Sequence, residues 1–220
     1  MKYLFLAILV VSSAIHLYHS YKDDMKKRPF TKWILLLAIL GYYLVSVDVP
    51  SKLLVAALIT SWLGDVLLIP QGMAWFVAGG ISFLASHILF ITVYVPNVDF
   101  GSVTWWAVAI VAVIYISVAA FVIKTLLPTT SKSMVAPLFL YIIANATMNV
   151  FAFMQLLSNP CAATAIAYAG AILFFISDCS LFCVKFHKNR NLIFKRHFTV
   201  MLTYILGEFL ITQGILMLTK

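Results

Sequence analysis

The chain is short of charge. Asp, Glu, Lys and Arg make up only 10% of its 220 residues, where a water-soluble domain carries about 25%. That shortage excludes an ordinary soluble enzyme, because such a surface has too little to offer water. Polar linkers, low-complexity tracts and internal repeats are also missing, so residues 1–220 read as one helical domain with no separate soluble part. Cysteine is limited to Cys161, Cys179 and Cys183. No metal site is expected from them, since ligands at ligand spacing are lacking. Cys179 and Cys183, one turn apart in an apolar run, read as small core residues. What the chain has in excess is apolar: 64% of residues are hydrophobic and the mean hydropathy is +1.05. The expected fold class is all-α, a polytopic transmembrane helix bundle.

A membrane-spanning helix needs about 20 largely apolar residues, and eight such segments can be read. They fall at 1–20, 32–48, 51–69, 73–95, 103–124, 134–158, 161–186 and 196–219. The first also has the form of a signal peptide, with Lys2, an apolar stretch and "SSA" as a cleavage site. Its apolar pattern continues past that site, which favours a helix. Pro50 and Ser51 open the third segment and Pro70-Gln71-Gly72 ends it.

The net charge of +8 is gathered in a few loops, chiefly "YKDDMKKRPF" and the stretch around "HKNRN". With both termini placed on one face, twelve of the fifteen Lys and Arg lie in the loops after segments one, three, five and seven. Only Lys2, Lys52 and Lys220 lie opposite. The positive-inside rule then puts both termini on the non-cytoplasmic side. Membrane topology accounts for the basic residues, and nucleic acid is not expected as a partner.

Of the seven acids, Asp65, Asp178 and Glu208 fall inside apolar helices. Ionisable residues within a membrane are costly and mark functional sites by default. At a rise of about 1.5 Å per residue, Asp65 sits about 6 Å, and Asp178 about 12 Å, from the cytoplasmic ends of their helices. Tyr141, Asn145 and Tyr204 fall in the same half. Asn149 and Glu208 lie somewhat deeper, and His87 deeper still. Tyr141, Asn145 and Asn149 are spaced i, i+4, i+8, a polar stripe down one helix face. Lipid cannot satisfy such groups, so they must turn inward. Blander roles are open to each. Asp65 can pair with a Lys or Arg near the interface, the asparagines can be interhelical glue, and His87 can be a satisfied core histidine. His16 and His19 read as interfacial, and Gly79-Gly80 as a place of close helix packing. Two buried aspartates that meet would share a proton, offering a general acid and a general base.

The stretches "SWLGDVLLI", "FVAGGISFLASHILF", "YIIANATMN", "GAILFFISD" and "TYILGEFLITQG" resemble, in order, the lysoplasmalogenase (YhhN-type) family of membrane enzymes. The likeness runs from about residue 28 to 215. Three positions depart from the family pattern: Phe90 where Tyr is frequent, Glu208 where Gln is common, and Arg28-Pro29 where Lys-Pro is usual. The resemblance implies hydrolysis of the vinyl ether bond of lysoplasmalogens to a fatty aldehyde and glycerophosphoethanolamine or glycerophosphocholine, without cofactor or metal. It makes a lysophospholipid and the bilayer the expected partners. Asp65 and Asp178 would share the acid and base work, in either order. Tyr141, Asn145, Asn149, Tyr204, Glu208 and His87 would bind the substrate. Lys124, Lys185 and Arg196 are candidates for holding its phosphate. A proton-coupled transporter and an intramembrane aspartyl protease also use buried acids, but broken helices, inverted repeats and a full Gly-x-Gly-Asp pattern are not seen. The small size and short loops favour a bacterial inner membrane.

Overall fold

A computed structural model describes residues 1–24, 26–189 and 191–219. Arg190 and Lys220, both counted in the charge asymmetry, lie outside the described residues. Among those described, eight α-helices fall on the eight apolar segments, with no strand. They are α1 (Lys2–Tyr21), α2 (Arg28–Leu44), α3 (Lys52–Leu67), α4 (Met73–Tyr94), α5 (Trp105–Leu126), α6 (Lys132–Ser158), α7 (Ala162–Phe186) and α8 (His197–Leu218), and a 3₁₀ turn, Val95–Asn97, follows α4. Six are long and apolar enough to cross a bilayer; α2 and α3, with 17 and 16 residues, are the shorter pair.

The ends differ from expectation where Pro and caps decide. Helix α2 starts at Arg28, four residues before the expected 32, because Pro29 occupies the first turn, where a missing N–H costs nothing. Pro50 stays outside α3, and Ser51 caps it, its Oγ accepting from the Leu54 amide at 3.4 Å. Gly72, at φ +124°, turns the chain into α4 in a conformation closed to other residues.

Two close helix contacts hold the centre. Where α7 meets α8, a methyl added at Gly170 would lie 2.6 Å from the Ile211 amide nitrogen. One at Gly207 would lie 2.9 Å from that of Phe174, and one at Gly214 2.6 Å from the Ala163 carbonyl. Backbone thus packs on backbone, as small residues allow in membranes. Gly207→Ala is therefore expected to force α7 and α8 apart at a cost of about 1–3 kcal/mol. Thermal unfolding in detergent should show it as a lower Tm, and an unchanged Tm would argue against the contact. Where α3 meets α4, Gly64 makes room for the Phe83 ring and Gly79 for Leu68. Gly80 has open space beside it, so only half of the Gly79-Gly80 pair serves packing.

Helix α5 lies at the rim, with Ile110, Val113, Ile114 and Phe121 exposed and Trp105 and Trp106 at its start. His16, near the end of α1, is covered by α2, its Nδ1 2.8 Å from Thr31 Oγ1.

Candidate active site

All eight residues singled out from the sequence are buried: Asp65, His87, Tyr141, Asn145, Asn149, Asp178, Tyr204 and Glu208. Six of them form two groups around the aspartates. Asp178 on α7 is the focus of the first. Its Oδ2 accepts from Tyr141 Oη at 2.9 Å and from Asn145 Nδ2 at 2.7 Å, both on α6. His87 Nε2 on α4 donates to the same oxygen from 3.1 Å. Three donors crowd Oδ2, none is found on Oδ1 among the described residues, and Asp178 lines a cavity.

The polar stripe on α6 explains how Asn145 is aimed. Asn149 Nδ2 donates to Asn145 Oδ1 at 3.0 Å, so the Asn145 amide nitrogen must face Asp178. Asn149 is itself fixed by Tyr115 Oη, which donates to its Oδ1 at 3.0 Å. Asn149 therefore orients the site from behind. His87 comes level with Asp178 rather than lying beyond it. Counting residues from the end of α4 overstates its depth, because neighbouring helices do not begin at one level. Phe174 packs edge-on against the His87 ring, with centroids 4.9 Å apart, and Tyr141 does so from another side at 5.1 Å.

The second group is built on Asp65, one residue after Gly64. Tyr204 Oη on α8 donates to Asp65 Oδ2 at 2.8 Å, and Lys32 Nζ on α2 lies 3.1 Å from Oδ1. In the sequence Lys32 is only one of many basic residues near a loop. The early start of α2 carries it inward and gives it its partner. The pairing of Asp65 with a cation is thus realised, alongside its place on the cavity wall. The two aspartates share that cavity without a hydrogen bond to one another. Glu208 lies within electrostatic reach of both and in weak contact with Ser61, and neither of its carboxyl oxygens makes a hydrogen bond of good geometry among the described residues.

The cavity measures about 690 Å³, within the range of small-molecule sites. Asp65, Asp178 and Tyr204 lie on its polar side, and Phe76, Phe83, Leu181, Val184 and Met201 supply apolar wall. Its mouth carries Arg28, Lys32, Lys185, Lys188 and Arg196. Asp23 stands between two of these, 3.5 Å from Arg28 and 3.2 Å from Arg196, tying the α1–α2 connection to the start of α8. Lys124 does not take part; it is exposed on the last turn of the rim helix α5. Among the described residues no three His, Cys, Asp or Glu side chains gather as a metal-binding group.

A hydrophobic bundle that turns an aspartate from each of two helices toward one basic-mouthed cavity defines a class: an integral membrane protein with an internal polar site. The YhhN family model matches residues 27–215, and the chain belongs to that family, the family of lysoplasmalogenases. Comparison with curated proteins and with solved structures finds no match.

Proposed function

We propose that the chain is a lysoplasmalogenase, hydrolysing the vinyl ether bond of 1-alkenyl-glycerophospholipids. The observation that carries the reading is the unequal setting of the two aspartates on one cavity. Asp178 is held at Oδ2 by three donors and lines the cavity, and on this reading its other oxygen carries the proton to the substrate. Asp65 has the Lys32 ammonium as counter-charge, the arrangement of a carboxylate.

Vinyl ether hydrolysis uses both. The Asp178 Oδ1 proton passes to the outer alkene carbon, and the double-bond electrons form the new C–H bond. The inner carbon and the ether oxygen are left as an oxocarbenium ion, which the Asp65 carboxylate stabilises. Water adds to the inner carbon and gives its proton to Asp65. The hemiacetal then collapses. The glycerol oxygen leaves with the proton from Asp65, and the hemiacetal hydroxyl returns one to Asp178 as the aldehyde forms. Both carboxyls end as they began, so general acid–base catalysis closes the cycle.

The headgroup phosphate would meet Lys185, Lys188 and Arg196 at the mouth, with the alkenyl chain along Phe76, Phe83 and Met201. Eight membrane crossings with both termini outside would place this mouth on the cytoplasmic side of a bacterial inner membrane. Purified protein given a lysoplasmalogen and the matching acyl lysolipid should release fatty aldehyde from the first alone. Fatty acid from the second, or no product from either, would sink the reading.

A further inference from the structure

On the side of the aspartates away from the mouth, several buried polar atoms make no hydrogen bond of good geometry among the described residues. Glu208 on α8 is fully buried; Ser61 is in weak contact with it, and neither carboxyl oxygen makes a hydrogen bond of good geometry among the described residues. Tyr94 Oη and His87 Nδ1, two turns apart on one face of α4, are equally buried and equally unpartnered. Ser61 lies beside Glu208 but is otherwise engaged. It stands 2.6 Å from Ser86 Oγ, which donates in turn to the Ala57 carbonyl at 3.1 Å. Glu208 is within electrostatic reach of Tyr94, Tyr141 and Tyr204 as well as both aspartates.

A buried polar atom left unpaired costs about 1–3 kcal/mol. Groups of such atoms are where proteins hold internal water, each water making about three hydrogen bonds. A lipid entering from the mouth fills the path that bulk water would use, yet the reaction consumes one water per turnover. We propose that Glu208 and Tyr94 form a water-binding site that feeds the hydrolytic water from behind the aspartates. The proposal rests on the lysoplasmalogenase reading above. A water held there moves forward onto the oxocarbenium ion. Its oxygen lone pair forms the bond to the inner carbon, the C=O π pair returns to the ether oxygen, and its proton goes to Asp65.

The test compares Glu208→Leu with wild type in light and heavy water. In the wild type, proton transfer to carbon is expected to limit the rate, so aldehyde release should show a large solvent isotope effect. Glu208→Leu is expected to slow release at least about tenfold, the worth of one hydrogen bond to the attacking water. Its isotope effect should collapse toward unity, as water supply becomes limiting. Glu208→Gln, which keeps two polar atoms, should restore the isotope effect and most of the lost rate. Tyr94→Phe removes a single oxygen, should move both readouts the same way by less, and serves if the leucine variant does not fold. Turnover unchanged in these variants, or slowed turnover with an unchanged isotope effect, overturns the water site. A wild type that releases no aldehyde overturns the underlying reading instead.

Discussion

Asp178→Asn is expected to lower aldehyde release by about 10²–10⁴-fold, the usual worth of a general acid, while the protein stays folded. The reason lies in the three donors on Oδ2. Tyr141, Asn145 and His87 all need an acceptor there, so the amide must place its oxygen at that point and its NH₂ toward the cavity. The site is then filled by a group of the same shape with the same hydrogen bonds behind it. The amide nitrogen cannot deliver a proton to an alkene carbon. Loss of rate with retained Tm is the expected pair of results, from single-turnover aldehyde release and thermal unfolding in detergent. Turnover near that of the wild type would remove Asp178 from the role of acid.

Much of this arrangement is legible in the amino-acid sequence. Bilayer thickness and the cost of unsatisfied backbone dictate long apolar helices, so eight segments are visible in hydropathy alone. The stripe of Tyr141, Asn145 and Asn149 follows from helical period. What hydropathy does not encode is which helices touch and at what level. A depth counted along α4 alone sets His87 too deep, whereas its contact with Asp178 depends on how far α4 is shifted against α7. His16 reads as interfacial by its place near a helix end, yet α2 covers it. Lys32 shows the same gap from the other side. A basic residue beside a basic loop carries no mark that distinguishes topology from pairing, and only the early start at Pro29 turns it toward Asp65. Gly64 carries a clearer signal, since a glycine beside a buried acid invites close approach, and the Phe83 ring is what approaches.

Lys32 and Asp65 together should separate fold from chemistry. The Asp65 side chain is 2% exposed and that of Lys32 15%, so the pair is buried but Lys32 is nearer the mouth. Removing one member of a buried ion pair costs about 3–5 kcal/mol, because the other charge is stranded, while replacing both by neutral groups is often harmless. Lys32→Met strands a carboxylate whose side chain is only 2% exposed, and is expected to show the larger loss of Tm. Asp65→Asn strands an ammonium that can turn outward along its flexible stem, and should unfold at a temperature closer to wild type. The double variant Lys32→Met/Asp65→Asn should regain the stability that Lys32→Met loses. Aldehyde release should stay lost in it, because the Asp65 carboxylate that stabilises the oxocarbenium ion and takes the water proton is gone. If the pair were only a structural clamp, the double variant would recover turnover along with its Tm. Recovery of both would leave Asp178 as the sole acid of the cavity and assign Asp65 to holding α2 against α3.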